Sequence, residues 1–410
     1  MAGGRHAARP AATEGECMFA VFALPRKLAR AVGALCLVGA LAACDPAAVR
    51  LPDTPRGAPA EAARAVPVAL LLPQSAEDAG GVARDLENAA RLAVADLGEV
   101  AVDLRVYDTA GTEAGAAAAA QRAADAGAGI ILGPLFAEAA NAAAVEVADD
   151  GVNVLSFSNN TTIAGGNLFV LGRTFETTAD RLTAYAAREG RRAVVIVHPD
   201  NVEGRLGRTA IEAAAARHGL GVAEVVAFPF TEDGAVEAAG RTVTAVEESG
   251  ADSVFLTSTS AGALPILAQL LPERGLDPSE TQYLGLARWD VPAQTRNLPG
   301  LQGGWFATPA TGTASAFGAR YTETYGNPPH PLAGLAYDGI AAIGALARQR
   351  GGDALTRRAL TQPAGFQGTG GAFRLRPDGT NERALAVATI RDGEVTILDP
   401  APRRFPGAGF

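Results

Sequence analysis

From Val66 onward the chain alternates short, uninterrupted apolar runs with longer stretches of helical periodicity, and this rhythm limits the folds open to it. Strands are predicted over 66–72, 100–107, 129–132 and 152–157, with helices over 85–97, 114–126 and 137–148 between them. The same order returns with strands at 193–198, 222–228, 253–257 and 283–286, separated by helices at 205–218, 235–248 and 262–271 and preceded by one at 179–188. A strand that is apolar on both faces has to be covered on both, as in a parallel sheet flanked by helices. The 410 residues exceed the roughly 250–300 at which a single core stops growing. The expected class is therefore α/β, with two doubly wound lobes of mainly parallel sheet, a cleft at the lobe interface and a break near 165–173.

Past Pro299 the pattern changes. A strand is expected at 304–307, helices at 315–325 and 332–348, and antiparallel strands at 373–375, 384–390 and 395–398, with a turn at Arg391-Asp392-Gly393. This part should return to both lobes. The first lobe is then about 66–170 with 296–345, the second about 171–295 with 346–400, and 401–410 is a tail.

Residues 18–44 read as an export signal, with Met18 the expected start: it and Met1 are the two methionines of the chain. Arg26, Lys27 and Arg30 supply a positive start, and 31–41 is an apolar run too short to span a bilayer comfortably. Its end, Leu41-Ala42-Ala43-Cys44, resembles a bacterial lipobox. The resemblance implies cleavage before Cys44 and a lipid on that cysteine, which anchors the protein to a membrane. Ordinary cleavage after Ala43 is the other reading. Asp45 follows, a residue that in enterobacterial lipoproteins favours the inner membrane; inner or outer is left open. Residues 45–65, rich in Pro and Ala, read as a tether.

Composition removes several function classes. A net charge of −9 argues against nucleic acid as a partner. Lys27 is the sole lysine, so beyond the signal there is no lysine for a phosphate loop, a Schiff base or a general base. Cys17, Cys36 and Cys44 all precede the folded part, which leaves it without a disulfide or a cysteine metal site. His198 and Asp200 flank the stiff Pro199, and no Gly-x-Ser-x-Gly elbow is present. His218 lies near a helix end and His330 in a proline turn, neither with a second histidine at ligand spacing. No catalytic residue, metal or cofactor is expected, and Trp289 and Trp305 read as core more readily than as cofactor platforms.

Several segments resemble the type I periplasmic-binding proteins of the leucine/isoleucine/valine-binding kind. They are Val68-Ala69-Leu70-Leu71-Leu72-Pro73, Ile131-Leu132-Gly133-Pro134, Val152-Asn153-Val154-Leu155-Ser156-Phe157-Ser158 and Phe373-Arg374-Leu375 with Asp378-Gly379. Within that group the chain looks most like the penicillin-binding-protein activator lipoproteins. That likeness rests on Asn167-Leu168-Phe169-Val170-Leu171-Gly172, 192–200, 283–290 and Gly303-Gly304-Trp305-Phe306. Enterobacterial activators carry a helical-repeat domain ahead of this fold; here the tether stands in its place.

In doubly wound sheets ligands bind beyond the carboxyl ends of the strands, and here those ends are polar. The candidate ligand-binding residues are Phe136, Ser158, Asn159, Asn160, Glu203, Thr259, Ser260 and Arg288. Ser158 to Asn160 stand where the resemblance places carboxylate-binding groups. For Thr257 to Ser260 helix capping is an equal alternative. Two departures from amino-acid binders are apparent: Glu203-Gly204 replaces an aromatic lid, and Ala287 replaces the acid that clamps the ligand's ammonium group. An unpaired ammonium in a closed cleft costs several kcal/mol. Two functions follow. One is activation of a penicillin-binding protein in peptidoglycan synthesis through a surface contact. The other is capture of a small polar or amino-acid-like ligand for an ABC permease.

Overall fold

The computed structural model describes residues 65–350 and 354–405. The expected signal, Cys44, the tether as far as 64 and the last part of the tail lie outside them. The first strands are β1 (Val66–Leu72), β2 (Val102–Asp108), β3 (Ile130–Leu132), β4 (Asn153–Ser156) and β5 (Leu168–Val170). They form a parallel sheet in the order β2-β1-β3-β4-β5. The intervening helices are α1 (Gly80–Asp96), α2 (Glu113–Asp125) and α3 (Ala137–Glu146). Alternate residues of β1 serve opposite cores. Val68, Leu70 and Leu72 pack with α1, while Ala69 and Leu71 meet the alanine faces of α2 and α3. Alanine there lets helix and sheet approach closely.

The second sheet repeats this winding. After α4 (Phe175–Arg188) come β6 (Ala193–Pro199), α5 (Val202–His218), β7 (Gly221–Phe228), α6 (Glu232–Ser249), β8 (Ser253–Leu256), α7 (Leu264–Glu273), β9 (Gln282–Gly285) and β10 (Trp305–Thr308). Helices α8 (Thr311–Tyr325), α9 (Ala333–Arg350) and α10 (Arg357–Leu360) follow. The chain then forms β11 (Phe366–Gly368), β12 (Gly371–Leu375), β13 (Asn381–Arg383), β14 (Ala386–Arg391) and β15 (Glu394–Asp399). The sheet order is β15-β14-β10-β9-β8-β6-β7, with β14 and β15 antiparallel. Leaving out that pair, the path β7-β6-β8-β9-β10 is the path of the first sheet over again. Strands β11 to β13 form a small antiparallel sheet.

Two assignments from the sequence are corrected. Residues 296–308 do not join the first lobe, because β10 pairs in parallel with β9 and extends the second sheet. Residues 346–383 do not join the second, because Leu346, Leu360, Phe366, Phe373 and Leu375 are buried in one cluster with α1 and α9. The turn residues after Pro299 concealed that β10 is still part of the repeated winding. Residues 168–170, read as part of a break, are instead an edge strand. Trp289 and Trp305 are core residues: Trp289 is fully buried, and Trp305 meets Tyr185 edge-on at 4.8 Å.

The chain crosses between the sheets at 171–174, 309–310 and 384–385. The first and last crossings are joined. Asn381 Nδ2 donates to the carbonyls of Val170 at 2.8 Å and Gly172 at 2.7 Å. Arg383 donates to Leu171 O through Nε at 3.0 Å and Nη2 at 2.7 Å.

Strand β15 is fastened to α4 by Asp399, which meets Arg181 at 3.0 Å and also pairs with Arg188. Burial works to raise the Asp399 carboxyl, but hydrogen bonds and charge from Arg181 and Arg188 outweigh it and hold the group below the usual carboxylate range. A carboxyl lowered in the folded state stabilises above its unfolded value, near 3.9, and that stability is lost as the pH falls through the folded value. Asp399→Asn should therefore flatten the fall of the urea midpoint between about pH 5 and 2. An unchanged slope would remove Asp399 from the acid response.

Candidate ligand-binding site

The site begins where strands of the first sheet end. After β3, Gly133 adopts φ +94 and passes close enough to Leu71 that a Cβ would lie 2.2 Å from its carbonyl oxygen. That turn delivers Leu135 and Phe136 to the start of α3. After β4, the Ser156 hydroxyl donates to Pro134 O at 3.1 Å, tying the two loops together. Asn160 N donates to Ser158 Oγ at 3.1 Å, and Asn160 Oδ1 accepts from Thr162 N at 3.0 Å. Ser158 thus keeps its hydroxyl proton for another acceptor. Gly172 N donates to Ser158 O at 3.1 Å, and a Cβ on Gly172 would lie 2.4 Å from that oxygen, so the first crossing can run here only as glycine.

The opposite wall comes from strand ends of the second sheet. Asn201 caps α5 by accepting from Gly204 N at 2.7 Å, and Glu203 stands exposed in the first turn. Beyond β8, Thr257 Oγ1 donates back to Val197 O and Ser260 Oγ donates to Val291 O at 3.3 Å. None of the hydroxyls from Thr257 to Ser260 caps α7, whose N-cap position is Ala263, so the capping alternative falls away. Arg288 makes a two-pronged pair with Asp290, Nε to Oδ1 at 2.8 Å and Nη2 to Oδ2. His198 and Asp200 are not brought together as a pair: His198 Nδ1 faces Pro199 O, and Asp200 pairs with Arg205.

These strand ends enclose a cavity of about 660 Å³, within the roughly 300–1,000 Å³ common for small-ligand sites. Phe136, Ser158, Asn159, Asn160, Glu203, Thr259, Ser260 and Arg288 all line it, as does Ala287. Phe157, Phe175, Leu206 and Leu286 add apolar wall. Helices α3, α4 and α5 begin at its rim. Each carries an acid in its first turn (Glu138, Glu176 and Glu203), which opposes the positive end of the helix dipole.

Sequence reasoning missed Arg173. It follows Gly172 in the first crossing, is half-buried, and lines both this cavity and a neighbouring one of about 190 Å³. Among the described residues, none makes a hydrogen bond, ion pair or ring contact with its guanidinium. Burial, then repulsion from Arg288 and Arg383, pull its pKa down to about 10 against a weaker opposing pull from Asp290. The group stays charged at neutral pH. An arginine directly after the apolar 168–172 and just before the Thr174 helix cap was the available signal.

Two doubly wound sheets of like strand order, with polar strand ends around one cavity, define a class of two-lobed ligand-binding proteins. The sequence profile of the periplasmic binding protein family matches residues 65–394, and the chain belongs to that family, which implies a periplasmic location. Among solved structures it is similar to one assigned to a branched-chain amino acid ABC transporter of Rhodospirillum rubrum. That match has TM-score 0.70 and 20% identity, covering 82% of this chain and 100% of the other. A solute-binding protein of an ABC transporter from Rhodopseudomonas palustris, in complex with 3,4-dihydroxybenzoic acid, matches with TM-score 0.61 and 18% identity over 84% and 98%. A leucine-binding protein from Thermotoga maritima matches with TM-score 0.57 and 17% identity over 82% and 98%. No curated protein matches the chain. No described helix is long and apolar enough to cross a membrane.

Proposed function

We propose that this protein is the solute-binding component of an ABC transporter, capturing a small ligand between its lobes and presenting it to a permease. The observation that carries this reading is the convergence of polar strand ends from both sheets on one cavity of ligand size. Structures of the same fold belong to ABC transporter binding proteins, and the one from Rhodopseudomonas palustris holds an acid without an ammonium group. That agrees with Ala287 standing where amino-acid binders place an ammonium clamp. The reading is of a binder and not an enzyme, with a lipid on Cys44 holding the protein at the membrane. No observation speaks for activation of a penicillin-binding protein, and the family relationship favours transport.

The test is a thermal-shift screen of ligand-freed protein against amino acids, organic acids, amides and short peptides, followed by calorimetry. A hit should bind with one-to-one stoichiometry, and Ser158→Ala should weaken it about tenfold, the loss of one hydrogen bond to a charged or polar group. A protein that responds to nothing across the panel overturns the reading.

A further inference from the structure

We propose that the cavity takes an organic acid, with Arg173 gripping its carboxylate and the phenylalanine and leucine wall holding an apolar body. The inference rests on the solute-binding reading and narrows it to one class of ligand.

The argument starts from charge. Around the first crossing stand Arg173, Arg288 and Arg383, each acting electrostatically on Arg173 or being that residue. Arg288 is matched by Asp290, and Arg383 by Asp338 at 2.9 Å. Three guanidinium charges against two carboxylates leave one positive charge over, and it falls on Arg173. Glu203 is the one carboxylate lining the cavity among the described residues, and it stands exposed on the first turn of α5. A partly desolvated cation crowded by two others is unfavourable for the free protein. An arriving carboxylate brings the cluster to neutrality and matches the planar fork of an arginine that has no other partner among the described residues.

The surroundings fix the rest of the ligand. Arg173 lies beside Ser158, whose hydroxyl proton is uncommitted, because Gly172 is bonded to Ser158 O. Phe136, Phe157, Phe175, Leu206 and Leu286 line the remaining space. An ammonium group would find only Glu203, exposed on the first turn of α5, where an ion pair adds little. An acid with an apolar body is therefore favoured over a zwitterion.

Phenylacetate, cinnamate and octanoate, their primary amides, and L-phenylalanine and L-leucine are titrated into wild type, Arg173→Gln and Arg173→Lys by calorimetry. At least one acid should bind wild type, with its amide and the Arg173→Gln protein each weaker by about a hundredfold, the effect of removing one partner of a desolvated charge pair. Arg173→Lys, which keeps the charge but loses the fork, should lose about tenfold. The ligand-free Arg173→Gln protein should melt no lower than wild type and is expected a few degrees higher, since a repelled, unbonded charge has gone. A residue with a merely structural role would not combine lost binding with gained stability. Equal binding of acid and amide, acid binding that survives Arg173→Gln, or tighter binding of the amino acids overturns the acid proposal and leaves the solute-binding reading in place. Silence from every acid also overturns it, while the solute-binding reading then stands or falls on the amides, amino acids and peptides of the wider screen.

Discussion

Asp338→Ala should destabilise the protein by about 3–5 kcal/mol, the loss seen when one partner of a buried pair is removed. The side chains of Asp338 and Arg383 are 1% and 8% exposed, so water cannot replace the missing charge. Asp338 Oδ1 also accepts from Thr369 N at 2.6 Å, which would lose its acceptor. Arg383 would remain fixed to Leu171 O and would face Arg173 and Arg288 with one fewer carboxylate nearby. Asp338→Asn, which can still accept from Thr369, should lose less than the alanine variant. Urea unfolding followed by circular dichroism measures the difference. A midpoint within error of wild type for Asp338→Ala would refute the account of this ion pair.

Trp289→Ala is expected to cost a similar amount, about 3–5 kcal/mol, by opening a large void in a close-packed region. The indole is fully buried, with its ring 6.1 Å from that of Phe306. It fits because two neighbours have no side chain: a Cβ on Gly285 would lie 2.2 Å from the indole, and one on Gly304 2.4 Å. Gly285→Ala should accordingly destabilise by about 1–3 kcal/mol through overpacking. Trp289 sits between Arg288 and Asp290, so its loss should weaken ligand binding as well as stability. A Trp289→Ala protein that keeps both the wild-type melting temperature and wild-type affinity would show that the ring anchors neither.

The parallel sheets were legible because β1, β4, β6 and β8 each centre on an apolar run, at 68–72, 154–155, 194–197 and 254–256, a pattern that fits strands covered on both faces. The site residues were legible for a related reason. The polar groups at 158–160 and 259–260 directly follow those strands, and the winding alone brings their ends together. What stayed hidden depends on contacts between distant parts of the chain. Strand β5 is three residues after the glycine turn at 165–166, too short for alternation to register. Strand β10 follows turns and a proline, and nothing local to it names its neighbour. The sequence places Arg173 beside the Thr174 helix cap but does not show that it goes unpaired among the described residues. Its isolation is set by Asp290 and Asp338, each engaged by a different arginine.

The three crossings also bear on how the molecule can be divided. A single cut at 309–310 leaves the halves stitched together twice over, by 171–174 and 384–385. Those two strips are themselves knotted side to side by Asn381 and Arg383. Neither half is a contiguous stretch of chain, so no single truncation isolates one. A fragment ending before 386 would lack β14 and β15 and leave β10 as a bare edge. The packed unit is the whole of 66–405, Phe405 being buried against Ala372 and Ala384, and any swing of one half against the other has to pivot along the seam on which Arg173 is mounted.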